Sequence, residues 1–220
     1  MNKYNEITEN AKKFEEEYGE KYRIISNTAK TKKEKFKNDF PLDLILDMTL
    51  EDYASRGIGK DSYCYWLERK LDEIGEMKGR ANSKRFGVFY SKKEEDYIWT
   101  KKYGDNLDDA FKNVKNAIYD LIASAQKKDY KSIEQNKLSP TVKGKILSVY
   151  FTEYYLPILH YEHIDYFIDI LEIPVTSEMG HEYKKAEILK FKNKHHLTKE
   201  WDNLKYVRFL YETYDPRKVV

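Results

Sequence analysis

Apolar residues recur at spacings of three and four through the first part of the chain, at Ile7, Ala11, Phe14, Tyr18, Tyr22 and Ile25. That period places them on one stripe and predicts a helix over residues 3 to about 38. Residues 28–37 are rich in lysine and read as a solvated continuation or a second helix. Pro41 closes the pattern, because proline disfavours helix in the residue before it. Leu42, Leu44, Ile45 and Met48 predict a short helix, and Thr49-Leu50-Glu51-Asp52-Tyr53 a capped helical turn.

A glycine-containing loop follows at 56–60, then Asp61 or Ser62 as cap for a helix through Tyr65, Trp66, Leu67, Leu71 and Ile74, ending near Gly75. Beyond a basic loop at 78–85 the period changes. Residues 85–90 and 96–103 are rich in aromatic and β-branched side chains around the polar stretch 91–95, and predict a β-hairpin. Alternation sends Tyr97, Trp99 and Tyr103 to one face and Ile98, Thr100 and Lys102 to the other. The clearest helix spans 107–126, capped by Asp105 or Asn106, with Ala110, Phe111, Val114, Ala117, Ile118, Leu121, Ile122 and Ala125 in its stripe.

Residues 145–151 predict a third strand. Ile164, Phe167, Ile168 and Leu171 mark a helix ended by Pro174, and two more helices are expected at 182–193 and 198–214. The fold class is therefore α+β, a small antiparallel or mixed β-sheet surrounded by several α-helices. Residues 1–38 form an N-terminal helical extension, and 39–220 a single domain of a size that can bury a core.

Composition changes this picture little. Hydrophobic residues make up 40% and charged residues 35% of 220, so the surface is highly charged and the chain is not disordered in bulk. The 20 tyrosines suit half-buried positions and base-stacking surfaces alike, and a biased base composition of the gene enriches tyrosine and lysine equally well. Cys64 is the only cysteine, which excludes an internal disulfide and fits a reducing, cytoplasmic setting. No apolar run is long enough for a membrane span or an export signal.

Local charge is more informative than the net +2. Residues 78–103 hold eight basic and three acidic side chains, a net of +5, whereas 41–77 hold nine acidic and four basic, a net of −5. The basic stretch is interleaved with Phe86, Phe89, Tyr90, Tyr97, Trp99 and Tyr103. In a structural reading these rings are core and the lysines keep an edge strand soluble. In a functional reading the cations hold phosphates while a ring stacks a base.

Catalytic patterns are hard to find. Gly57-Ile-Gly-Lys-Asp-Ser62 misses the phosphate-loop pattern at two positions, with Ala54 and Asp61 where glycine and Ser or Thr belong. The histidines (His160, His163, His181, His195, His196) form no HExxH pattern. Cys64 amid Tyr63, Tyr65 and Trp66 reads as a buried structural thiol. No metal and no cofactor are expected.

Several strings in fixed order carry a resemblance. They are Phe40-Pro-Leu, Met48-Thr-Leu-Glu-Asp-Tyr53, Asp61-Ser-Tyr-Cys-Tyr-Trp-Leu-Glu68 and Phe86-Gly-Val-Phe-Tyr90, then Leu138-Ser-Pro-Thr-Val-Lys-Gly-Lys-Ile-Leu-Ser-Val-Tyr-Phe151. Leu156-Pro-Ile158, residues 164–173 and Phe209-Leu-Tyr-Glu-Thr-Tyr214 follow. Over about residues 35–214 the chain resembles the N-terminal region of McrB-like restriction subunits. The resemblance implies a DNA-recognition domain that reads modified cytosine or a short sequence, an AAA+ GTPase motor lying beyond it, and an McrC-like nuclease subunit as partner. No individual base-contacting residue carries over.

On that footing Lys84, Arg85, Lys92, Lys93, Lys143 and Lys145 are candidate contacts to the phosphates of duplex DNA. Tyr63, Trp66, Tyr90 and Trp99 are candidates for an aromatic pocket that takes a flipped base. A protein-interaction module is the competing class and would show an exposed apolar patch instead. A stand-alone nuclease is the third class, and no metal-binding cluster is visible for it.

Overall fold

A computed structural model of the chain describes residues 3–55, 61–77, 82–176 and 178–218, with the side chains of Asn82 and Ser83 excepted. It opens on one uninterrupted helix, α1 (Lys3–Asp39). The lysine-rich stretch belongs to that helix, because Ala29 and Phe36 continue the buried stripe begun by Ile7, Ala11, Phe14 and Tyr22. A 3-10 segment (Leu42–Asp47) follows Pro41, and α2 (Leu50–Tyr53) starts with a capping box between Thr49 and Asp52. The expected helix after Ser62 is a composite of α3 (Tyr63–Tyr65), a π-helical turn (Trp66–Lys70) and a 3-10 turn (Asp72–Ile74) closed by Gly75. The glycine loop at 56–60 and the first half of the basic loop, 78–81, lie outside the described residues.

After α4 (Asn82–Arg85), strands β1 (Val88–Ser91) and β2 (Asp96–Trp99) pair antiparallel, with Val88 opposite Trp99 and Tyr90 opposite Tyr97. The hairpin lies against α5 (Leu107–Gln126), whose N-cap Asn106 accepts from the Asp109 amide. Gly87, at φ +85, enters β1 where a Cβ would lie 2.6 Å from the Tyr103 ring and 2.8 Å from Val114. Only glycine fits that backbone and that space.

The expected third strand at 145–151 is instead helical, within α7 (Pro140–Tyr150), which follows α6 (Tyr130–Gln135). Ser139-Pro140 supplies a helix start with proline at the first position. Every residue from Val142 to Tyr150 is buried, so the segment lacks the polar face that would betray its period. The remaining helices are α8 (Tyr161–Ile170), α9 (His181–Lys194) and α10 (Asn203–Thr213). The last begins later than the sequence predicts, because Asp202 caps it after a separate 3-10 turn (Thr198–Glu200).

The α+β class stands, with helix dominant and a sheet of two strands among the described residues. Two apolar clusters hold it together. The larger gathers Phe36, Tyr53, Leu67, Val114 and Ile146 around α5 and α7. The second gathers Phe14, Phe167, Ile188 and Phe209 among α8, α9 and α10. The segment expected as a helical extension contributes to both, and α1 packs closely on α10. Among the described residues no helix is long and apolar enough to cross a membrane.

Candidate nucleic-acid interface

Alternation in the hairpin assigns its faces. Val88, Tyr90, Tyr97 and Trp99 share the inner face, where Val88 and Tyr97 are buried and Tyr90 and Trp99 pack half-buried on the main core. Tyr90 meets the Tyr97 ring edge-on, and the Trp99 indole N–H donates to the Gly104 carbonyl at 3.1 Å. The outer face carries Phe89 directly opposite Ile98, both half-exposed.

Basic side chains collect where the strands leave the sheet. The Thr100 hydroxyl donates to the Lys84 carbonyl, and the Lys102 ammonium and Tyr103 hydroxyl both donate to the Lys137 carbonyl, at 3.0 and 3.1 Å. Those bonds draw Lys84, Lys101, Lys102 and Lys137 to the base of the hairpin, where all four are exposed and Arg85 is half-buried beside them. Among the described residues none of these five has an acidic partner within 4 Å. The turn is different. Lys92 and Lys93 stand beside Glu94, Glu95 and Asp96, and Lys93 pairs with Glu94 at 3.2 Å, so the tip is nearly neutral.

Two of the six candidate phosphate contacts are corrected by their surroundings. Lys143 and Lys145 sit inside α7, 3% and 0% exposed. Lys143 donates to the Ile133 and Glu134 carbonyls at 3.0 and 2.9 Å. Lys145 donates to the Leu71 and Gly75 carbonyls, both at 2.5 Å. Burial pushes the Lys145 ammonium down to about 7, against the opposing pull of Asp72 and Glu73. These amines tie helix ends together and do not reach a surface where a phosphate could bind.

Two of the four pocket candidates are corrected as well. Tyr63 and Trp66 are buried, and both rings lie within about 6 Å of Phe36, at 5.4 and 6.1 Å. Tyr63 also stacks on Tyr53 at 5.9 Å. They line the core rather than a cavity, and Tyr90 and Trp99 belong to a different element. The four therefore do not assemble into one pocket. Phe89, Lys101, Lys102 and Lys137 take their place. The alternation of the hairpin already pointed to Phe89 and Ile98 as one face, whereas Lys137 is far away in sequence and gave no signal.

The histidines have mostly structural partners. His195 is buried against Tyr4 and lies 3.1 Å from the Thr8 hydroxyl, and His181 stacks on Tyr161 at 3.8 Å. His160 and His163 line a 450 Å3 cleft with Arg208 and Tyr211, and the His163 Nδ1 lies 2.8 Å from the Tyr211 hydroxyl. Burial pushes the His163 imidazole below its ordinary value, with His160 the next cause. Among the described residues no group of three or more His, Cys, Asp or Glu side chains is placed to hold a metal ion. Cys64 is buried, and its thiol is pushed well above the ordinary range by burial. A comparison with protein-family models, with curated proteins and with solved structures finds no match to this chain.

Proposed function

We propose that this chain is the DNA-recognition module of a bacterial restriction system of the McrB type. The observation that carries this reading is the cluster of exposed and half-buried basic side chains, without acidic partners among the described residues, at the base of an aromatic hairpin. Lys84, Arg85, Lys101, Lys102 and Lys137 take the phosphates of duplex DNA, and the entropy of the released counterions drives the association. Phe89 and Ile98, on the outward face of the same hairpin, are the apolar groups that meet the 5-methyl of a modified cytosine in the major groove. The resemblance of several ordered strings to McrB-like subunits points to the same reading. On it, cutting belongs to an McrC-like subunit, force to an AAA+ GTPase domain, and the compartment is the cytoplasm.

The test is binding to short duplexes, unmodified or carrying 5-methylcytosine, at two salt concentrations. Replacing Lys101 and Lys102 by glutamine should weaken binding to every duplex and flatten the salt slope by roughly two. An unchanged slope removes these residues from the interface.

A second reading has its own observation. Leu44 and Leu46 are 51% and 39% exposed on the 3-10 segment, beside Asp43 and Asp47. Lys115 on α5 fastens that segment through the Leu46 and Met48 carbonyls. An apolar patch with acidic neighbours suits a basic protein partner. Absence of duplex binding at both salt concentrations would favour this class over the first.

A further inference from the structure

The lysine-rich part of α1 is not used by the hairpin interface. Lys30, Lys33 and Lys37 stand three and four residues apart, so they share one edge of the helix. With Ser26 they form one wall of a groove of about 550 Å3, and Thr152, Glu153 and Tyr154, just beyond α7, form the other. That volume lies in the range of small-molecule sites, roughly 300–1,000 Å3.

Glu34, Glu153 and Asp202 line the same groove, but among the described residues none of them closes an ion pair with Lys30, Lys33 or Lys37. Lys33 donates only to the Thr152 hydroxyl, at 3.2 Å, and among the described residues Lys30 and Lys37 make neither a hydrogen bond nor an ion pair within 4 Å. Burial holds the Lys33 and Lys37 ammoniums below the ordinary lysine range, and the charge of Lys37 adds to the effect on Lys33. Glu34 and Glu153 pull both the other way, as does Asp202 for Lys33, but none of them closes a contact. The Ser26 hydroxyl is buried and unpartnered. A partly desolvated ammonium without a close carboxylate is costly, and an oxyanion placed between two of them relieves that cost.

The rim adds a ring. Tyr154 is 52% exposed, and the Lys128 ammonium lies 4.1 Å from its ring centroid. An exposed aromatic beside a lysine-lined groove is the arrangement that stacks a base while cations hold its phosphates. We propose that this groove binds a nucleoside phosphate, with its phosphate oxygens between Lys33 and Lys37 and its base on Tyr154. None of these residues lies on the hairpin, so the site stands independently of the duplex interface.

Calorimetric titration of the full chain with ATP, with inorganic tripolyphosphate and with a short oligothymidylate tests it. ATP should bind saturably. Lys33→Met with Lys37→Met should weaken ATP and tripolyphosphate alike, by about tenfold or more. Tyr154→Ala should weaken ATP by roughly five- to a hundredfold, the worth of one stacked base, and leave tripolyphosphate unchanged. Binding of the oligothymidylate alone, lost in the double lysine variant, supports the same site and assigns a nucleic-acid strand as its source. No saturation by any of the three at millimolar concentration overturns the proposal, as does binding that all three substitutions leave intact. If the double variant loses its far-ultraviolet dichroism, the exposed Tyr154 substitution carries the test. Lys101→Gln with Lys102→Gln should not move the ATP titration, so failure here and failure of duplex recognition are separable.

Discussion

Lys185 and Glu182, one turn apart on α9, close an ion pair of 2.6 Å with side chains only 2% and 1% exposed. Gly144 in α7 lies beside it, where a Cβ would stand in ordinary contact with the Lys185 ammonium, at 3.5 Å, and more tightly against Leu159, at 3.3 Å. The second Glu182 oxygen is buried without a partner. Coulombic attraction in such a place has to offset two desolvation penalties, and removing one partner leaves the other uncompensated. Lys185→Met alone should therefore cost about 3–5 kcal/mol in urea unfolding. Glu182→Gln with Lys185→Met should recover most of that loss. Equal instability of the single and double variants would show that the charges are not coupled.

The buried amines set a pH profile. The folded-state value of Lys145 is about 7 against an ordinary 10.5, so between those limits the folded chain binds fewer protons than the unfolded one. Stability then rises with pH through that window. Burial shifts Lys33, Lys37, Lys143 and Lys192 in the same direction. Above about pH 10 the sign reverses, because burial raises Tyr53, Tyr63 and Tyr206 and the unfolded chain ionises its tyrosines first. The urea midpoint should climb from neutral pH to a maximum near 9–10, about where lysine and tyrosine effects cross. Lys145→Met should flatten the climb. A wild-type midpoint that is level from pH 7 to 10 would remove Lys145 as its source.

Gly87 permits the entry into the hairpin. An alanine there meets both a positive φ and the Tyr103 and Val114 side chains at 2.6–2.8 Å. Gly87→Ala should lower stability by about 2–4 kcal/mol, the combined scale of backbone strain and overpacking. A thermal midpoint within a degree of the parent would mean that the turn relaxes freely.

Trp99 and Phe89 separate packing from recognition. Trp99 packs inward with its indole N–H bound to Gly104, whereas Phe89 faces out opposite Ile98. Trp99→Ala should cost about 2–4 kcal/mol of stability and leave duplex affinity of the folded fraction intact. Phe89→Ala should change stability little and weaken discrimination of the methylated duplex. The reverse assignment of effects would return Trp99 to the DNA surface.

The sequence made some of this legible and hid the rest for physical reasons. The stripe of α5 and the alternation of the hairpin each belong to an element with one wet face, and period is readable only there. α7 is enclosed on all sides, so its Ile146, Leu147 and Val149 matched a strand as well as a helix. The same enclosure misplaced the candidate site, because Lys143 turns back to carbonyls of α6 and Lys145 reaches main-chain carbonyls that are remote in sequence. Tyr63 and Trp66 are core as well, because local richness in aromatic rings looks the same in a sequence whether the rings line a pocket or pack on Phe36. The basic hairpin was visible as a charge excess over 78–103, but its fourth exposed lysine, Lys137, joins only through the carbonyl bonds of Lys102 and Tyr103.

A helix of 37 residues is about 55 Å long. α1 lends Ile7, Phe14 and Tyr22 to one apolar cluster and Ala29 and Phe36 to the other, without a break between them. Neither cluster can open without withdrawing side chains from a rod whose other end is seated in its neighbour. Mechanically, α1 is a splint, and the two halves of the molecule should melt as a single cooperative unit.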